Sequence, residues 1–419
     1  MSPAPSLVVV ALSLSGAWNL LGLASVISAR RRRPSERQPA TASRAIASAP
    51  RGPGGTPTLR EGRSAGFLPV SIVKPLAGAD DGLERCLESL FTQDHPRFEV
   101  IFGVERGDDP AIPIAERVRA RYPDVPSRVV VHGRVRGLNP KVRNLLGTLP
   151  HASFDLVLAS DSNVLAPPGH LTDLLATRAR TGAGLVTSLV AGVDDRTLGG
   201  SLECVQLNGF AAAGSCLPTR LGDALVIGKT MLFAQAELRA LGGLERVADL
   251  LAEDFVLGKT FQHAGFPVAI GRLPVANPTG GATLARFVER QTRWAVLRWR
   301  LRPVAFVLEP LTSPLVPLAL AVAVLGGAAL PWLLGWALLC WAARDVGGWI
   351  ALRGARGAWR AWVLGPVRDL VMLVAWARAP FVREVTWRTH RLRLGAGTLL
   401  YATPGVVSGP RAEGVGCSA

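Results

Sequence analysis

The sequence predicts an α/β domain, a mostly parallel sheet with helices on both faces, combined with transmembrane helices. Three observations point there. Short apolar runs alternate with amphipathic segments between residues 70 and 160, an uncharged run of 23 residues occupies 6–28, and positive charge gathers beside apolar runs rather than on the middle of the chain. At 419 residues the chain is long enough for one domain plus membrane segments. Apolar residues make up 49% against 19% charged, and the mean hydropathy is +0.28, which excludes a disordered chain. Five cysteines (Cys86, Cys204, Cys216, Cys340, Cys417) form no C-x-x-C pair, so neither a zinc module nor a disulfide scaffold is indicated.

The formal net charge is +16, and only four of the 47 basic residues are lysine: Lys74, Lys141, Lys229 and Lys259. Residues 1–29 carry no charge. Residues 30–66 hold nine Arg and two Glu, a net of +7, and residues 282–419 hold seventeen Arg against six acids, a net of +11. The middle, 67–281, is left at −2. A nucleic-acid enzyme places its positive field on the catalytic body, so this distribution argues against nucleic acid as a partner and for a membrane.

The run at 6–28 is long enough to cross about 30 Å of hydrocarbon as a helix. Arg30 to Arg33 follow it and no basic residue precedes it, so the positive-inside rule places the N-terminus outside and the rest of the chain in the cytoplasm. A cleaved signal peptide needs a basic start and a shorter apolar core, and both are missing. The expected organisation is an anchor at 1–29, a basic disordered linker at 30–66, a cytoplasmic domain at 67–303, membrane helices at 304–384 and a basic tail at 385–419. The 34 uncharged residues between Glu309 and Arg344 are broken at Gly326–Gly327 and Pro331, which suits a tight or re-entrant hairpin. Segment 361–381, interrupted by Arg368, Asp369 and Arg378, fits a span or an interfacial helix equally.

Within the middle, 70–74 reads as a strand, and 81–93 as a helix with Leu83, Cys86, Leu87, Leu90 and Phe91 on one face. Strands follow at 98–104, 127–132 and 155–160, with a helix around 115–122 and another opened by Asn139 as cap and Pro140 at the first helical position. Such an alternation makes a parallel sheet, and its ligands bind beyond the carboxyl ends of the strands.

Acidic residues fall there. Strand 98–104 runs into Glu105, Asp108 and Asp109, and strand 155–160 runs into Asp161-Ser162-Asn163. Asp109 before Pro110 suits a helix cap as well as a ligand contact. Asp161 ends a buried run and opens no immediate helix, so it is a candidate for a divalent cation that holds a diphosphate. Asp254 stands at the head of an apolar helix, where a carboxylate also complements the helix dipole. Arg290, Arg293 and Trp294 share one face of a helix expected at 283–302, either as a solvated basic face or, with Trp299, as an interfacial anchor.

In order and context, Asp108, Asp161, Asp254 and Arg290-x-x-Arg293-Trp294 resemble the D, D, D, (Q/R)xxRW series of lipid-directed GT-A glycosyltransferases. The sequence is most similar to ceramide glucosyltransferases, through Asp108-Asp109-Pro110-Ala111-Ile112, Gly137-Leu138-Asn139-Pro140-Lys141, Asp161-Ser162, Ala252-Glu253-Asp254 and Trp387-Arg388-Thr389, over residues 68–400. The resemblance implies a GT-A-like nucleotide-sugar transferase domain and inverting transfer from a UDP-sugar, most simply UDP-glucose, to the hydroxyl of a membrane lipid, ceramide first. By that analogy Asp108, with Glu105 and Asp109 as neighbours, holds the uridine part, and Asp161 binds the cation (Mg2+ or Mn2+). Asp254 is the general base, and Arg290, Arg293 and Trp294 cover the diphosphate and the acceptor, with Lys141 as a further phosphate contact. The usual D-x-D reads Asp161-Ser162-Asn163 here, with an amide in place of the second carboxylate. Related architectures direct an N-acetylated sugar to hopanoid lipids. A processive polysaccharide synthase would need more spans, and a non-catalytic nucleotide-sugar-binding protein has only Asn163 in its favour.

Overall fold

The computed structural model describes residues 4–31, 68–80, 82–223, 225–387 and 390–402. Most of the linker at 30–66, Arg388 and Thr389, and the tail from 403 onward lie outside the described residues. After a long helix α1 (Ala4–Arg31), the expected alternation appears: β1 (Val70–Pro75), α2 (Leu83–Phe91), β2 (Phe98–Val104), α3 (Ala111–Arg121), β3 (Ser127–Val131), α4 (Pro140–Thr148), β4 (Leu156–Ser160) and α5 (His170–Thr181). Helix α3 starts four residues before the position read from the sequence. Pro113 does not stop it, because a first-turn residue has no intrahelical N–H bond to lose, and the Asp109 carboxylate accepts the Ala111 N–H at 2.9 Å.

Next come β5 (Leu185–Thr187), β6 (Val190–Val193), α6 (Leu198–Gln206), α7 (Ala212–Arg220), β7 (Thr230–Ala234), α8 (Gln235–Ala240), α9 (Glu253–His263), β8 (Val268–Ile270), β9 (Val275–Pro278) and α10 (Leu284–Leu301). The main sheet has the order β3-β2-β1-β4-β7-β5-β8, and only β7 runs against its neighbours. Its strands alternate between two cores. Val70, Ile72, Val100, Phe102 and Leu158 pack against α2, α3 and α5 on one face. Val73, Ile101, Val157, Met231 and Phe233 pack against α4, α8 and α9 on the other. The chain runs outward from β1 to β3 and then returns to place β4 on the far side of β1. The strand order therefore reverses between β1 and β4, and a crevice opens at their carboxyl ends.

The remaining helices are α11 (Pro303–Leu308), α12 (Leu315–Leu325), α13 (Leu330–Trp341), α14 (Gly348–Arg353) and α15 (Trp359–Arg378). Among the described residues α1 is the one helix that is by itself long and apolar enough to cross a membrane; 303–312 with α12 passes only as a pair bent by 67°. Helices α12 and α13 form the hairpin read from the sequence, turning at Gly326, whose φ of 77° favours glycine. At 11 residues α12 is too short to span the hydrocarbon alone, whereas α13 continues through the wide turn 342–347 into α14.

Residues 384–387 and 390–402, expected as the start of a tail, are ordered into strands. They fold into an antiparallel meander, β10 (Glu384–Trp387), β11 (His390–Leu394) and β12 (Leu400–Ala402). The meander braces the loop before α9: Leu251 N–H donates to Thr398 O at 3.0 Å and Leu400 N–H to Asp249 O at 2.8 Å.

The charges in 361–381 are explained by packing. Arg368 and Asp369 of α15 meet Arg344 and Asp345 from the wide turn 342–347 that joins α13 to α14, all nearly inaccessible. They alternate in a closed ring, with Arg344–Asp345 at 2.7 Å, Arg344–Asp369 at 3.0 Å, Arg368–Asp345 at 2.9 Å and Arg368–Asp369 at 3.0 Å. The opposite face of α15 exposes Trp362, Val363, Val367, Leu370 and Val374. The ring is neutral as a whole, so removing one member leaves a buried charge unmatched. Asp345→Ala should destabilise the chain by about 3–5 kcal/mol. Asp345→Ala combined with Arg368→Met keeps the Arg344–Asp369 pair and should cost much less. Unfolding midpoints of the detergent-solubilised chain would show the double variant melting above the single one.

Candidate active site

The crevice between β1 and β4 opens into a cavity of about 520 Å³. The segment after β1 (Pro75, Leu76, Ala77) forms one wall, Asp161 to Asn163 after β4 the floor, and α10 the roof. Thr283 caps α10 by accepting the Arg286 N–H. On this helix Phe287, Gln291, Ala295 and Val296 turn into the protein, while Arg290, Arg293, Trp294 and Leu297 turn toward the cavity. The shared face of Arg290, Arg293 and Trp294 is thus observed, and it faces the strand ends. Trp294 packs among Val164, Val190, Leu207 and Val275, and Trp299 against Phe306, so neither is a free interfacial anchor.

Helix α4 aims Lys141. The Asn139 side chain accepts the Lys141 and Val142 N–H groups, as the cap reading requires, and its amide donates to Leu250 O at 2.7 Å and to Glu253 Oε2 at 3.1 Å. Lys141 Nζ then lies 2.9 Å from Asp161 Oδ1 and 3.1 Å from Glu253 Oε1, and donates to Gly228 O at 2.6 Å. Burial alone would push the Lys141 ammonium down, but Asp161, Glu253 and Asp254 outweigh it and hold it charged. Likewise burial would raise Asp161, yet Lys141, Lys229 and Lys74 keep it below the usual carboxylate range.

Asp254 accepts the Gly228 N–H at 2.8 Å through Oδ2 and the Phe255 N–H at 2.7 Å through Oδ1. Its carboxyl is nevertheless raised, chiefly by burial. Burial, reinforced by Asp254 against the opposing pull of Lys141, pushes Glu253 up to about 7. A carboxylate raised in this way is a stronger base than a solvated one.

The acids after β2, expected near the nucleotide, lie outside the cavity lining. Glu105 is held by Arg143 at 2.6 Å. Asp108 is exposed and paired with Arg106 at 2.5 Å, a hydrogen bond that holds its carboxyl below the ordinary range. Asp109 accepts the Gly78 N–H at 3.0 Å, so it acts on the cavity through the loop that follows β1. None of the three lines the cavity; the acid on that wall is Asp80.

Glu203 and Lys229 are among the cavity residues that the sequence reading missed. Glu203 of α6 is buried, pairs with Arg290 at 2.9 Å and accepts the Gln291 amide at 3.3 Å. Lys229 sits beside Asp161 because β7 pairs antiparallel with β4, and the Asp161 N–H donates to Lys229 O at 3.0 Å. A signal for Lys229 existed: three of the four lysines in an arginine-rich chain, Lys74, Lys141 and Lys229, converge on Asp161. The fully buried Lys74 donates to Val164 O at 3.2 Å, and burial pushes it down to about 8.

The family model described as glycosyl transferase family 21 matches residues 52–400. The chain belongs to glycosyl transferase family 21. It is 26% identical to ceramide glucosyltransferase 1 of Caenorhabditis elegans over 336 residues, covering 78% of this chain and 72% of the relative. It is 38% identical to the ceramide glucosyltransferase of Komagataella phaffii over 107 residues, 25% of this chain and 21% of that one. Among solved structures it is similar to a mannosyltransferase of Pyrobaculum calidifontis in complex with GDP-Man and Mn2+, with 17% identity, a TM-score of 0.43, and coverage of 88% of this chain and 99% of the other. The family 21 assignment makes the chain a glycosyltransferase and agrees with the resemblance to ceramide glucosyltransferases.

The donor set sets limits on a metal. Among the described residues no group of three or more His, Cys, Asp and Glu side chains is arranged to hold an ion. Asp161 fits as one protein ligand of a cation shared with diphosphate oxygens, not as part of a resident metal centre.

Gly228 is the contact point of Asp254 and Lys141. A Cβ there would lie 2.6 Å from Asp254 Oδ2 and 3.0 Å from Lys141 Nζ. Gly228→Ala should therefore cut the transfer rate by roughly a hundredfold through misplacement of both groups, while the unfolding midpoint moves little. An unchanged rate would separate Asp254 and Lys141 from the chemistry.

Proposed function

We propose that this family 21 member transfers glucose from UDP-glucose to the primary hydroxyl of a membrane ceramide with inversion. The observation that carries the reading is the meeting of Asp161, Lys141 and Asp254 under the Arg290–Arg293–Trp294 face of α10, in the crevice where the strand order reverses. Ceramide glucosyltransferases among the relatives supply the substrate class.

In this reading the nucleotide lies along the loop after β1, with its diphosphate between Lys141 and the α10 guanidiniums. The acceptor oxygen attacks the anomeric carbon from the face opposite the diphosphate, the bond to the diphosphate oxygen breaks, and the acceptor proton passes to Asp254. Lys141, Arg290 and Arg293 stabilise the negative charge on the departing UDP. A divalent cation, Mg2+ or Mn2+, would add positive charge on the same oxygens with Asp161 as its protein ligand. The chain is read as an integral membrane protein anchored by 1–29, with 304–384 at the membrane and the domain at 67–303 on the cytoplasmic side, as the arginines after α1 suggest.

Asp254 must be ionised to accept a proton, and its carboxyl is raised, so activity should fall as pH drops through a value above the ordinary aspartate range near ~4. Asp254→Asn should abolish transfer at every pH and leave UDP affinity nearly intact, as measured by calorimetry; loss of UDP binding would remove Asp254 from the base role.

Substrate identity is tested by mass spectrometry of lipids from cells that gain or lose this chain. Hexosylceramide should appear and disappear with it. A hopanoid conjugate in its place would move the acceptor to the other lipid class, and no new glycolipid would refute lipid glycosylation.

A further inference from the structure

Lys229 has a different electrostatic situation from Lys141. Lys141 is matched by two carboxylates within 3.1 Å. Lys229 Nζ donates its hydrogen bond, at 2.6 Å, to the neutral amide oxygen of Asn163, and its nearest carboxylate oxygen is Asp161 Oδ2 at 3.6 Å. That aspartate is already engaged by Lys141. Burial lowers the Lys229 ammonium, and the nearby Arg290 and Lys141 charges push in the same direction against Asp161. A carboxylate at 163 would have matched this charge; the amide fixes its position without neutralising it.

The geometry also directs it. Lys229 immediately precedes β7, and the register that sets Thr230 opposite Ser160 puts residue 229 beside residue 161 on the cavity floor. Arg290 and Arg293 approach the same space from α10 above. Glu203 matches Arg290 at 2.9 Å, whereas the hydrogen-bond partner of Lys229 is a neutral amide; an anion with several oxygens entering between floor and roof would meet the Lys229 ammonium together with the α10 guanidiniums.

We propose that Lys229, held by Asn163, is a diphosphate-binding residue: its ammonium contacts the donor's diphosphate from the floor while Arg290 and Arg293 contact it from the roof. This rests on the nucleotide-sugar reading above and deepens it. Part of the charge that a D-x-D centre would supply through a second carboxylate and its metal is here built into the protein as an ammonium, so a share of diphosphate affinity persists without a divalent cation.

The test uses the full chain in detergent, with UDP, uridine and inorganic pyrophosphate as probes, each measured by calorimetry with Mg2+ and with EDTA. Lys229→Met should weaken UDP and pyrophosphate binding by about tenfold to a hundredfold, the scale of one lost charge-assisted hydrogen bond, and leave uridine binding unchanged. The loss should be present in EDTA as well as in Mg2+. Lys229→Arg, which keeps the charge, should recover most of the affinity and serves as the readout if the methionine variant does not fold. Equal UDP affinity in wild type and Lys229→Met would overturn the proposal, as would a loss that extends equally to uridine or appears only with Mg2+. Failure of the wild-type chain to bind UDP at all would instead refute the nucleotide-sugar reading.

Discussion

The Asp161 carboxylate is placed inside the protein at the end of a central strand, and it must be matched by positive charge. An uncompensated carboxylate there would cost several kcal/mol, more than any single helix cap or surface pair returns. Lys141 supplies the match, which requires α4 to begin at Pro140, Asn139 to cap it, and the loop before α9 to lie close enough for Glu253 to share the ammonium. The meander at the C-terminus completes the arrangement by fixing that loop through Leu251 and Asp249. The base candidate Asp254 is thereby placed by a charge it does not itself contact.

The alternation from β1 to β4 was legible because β1, β2 and β4 bury both faces, the edge strand β3 is a β-branched run, and each helix carries one apolar stripe, patterns that local periodicity records. The face formed by Arg290, Arg293 and Trp294 was legible for the same reason. What the sequence concealed came from pairings distant in the chain. Lys229 and Asp161 are neighbours only because β7 inserts antiparallel between β4 and β5, and no local signal announces that insertion. Glu203 belongs to a helix far from both motif segments. The distance of Asp108 from the strand end does not tell which way the loop turns, and Arg106 holds its carboxylate at the surface.

The charge pattern acquires a finer meaning. Arginine dominates where cations flank apolar segments, and it supplies the cavity roof through Arg290 and Arg293, while two of the four lysines, Lys141 and Lys229, stand beside Asp161.

The membrane side and the chemical side are joined through α6. Gln206 accepts Arg368 Nη1 at 3.3 Å, which ties the helix to the buried ring formed with Arg344, Asp345 and Asp369. One turn earlier Glu203 holds Arg290 and Gln291 of the roof. Residues three apart on a helix share a side, so the seating of α15 and of the turn 342–347 sets the orientation of α6, and α6 sets the reach of Arg290. The wide helical turns at 207–211 and 342–347 pack directly together: a Cβ on Gly209 would lie 2.4 Å from Asp345 Oδ1, and one on Gly348 2.3 Å from Asn208 O. The contact is too close to slide. The apolar helices therefore form a close-packed backing against which α6, and through it Arg290 of the cavity roof, is aligned.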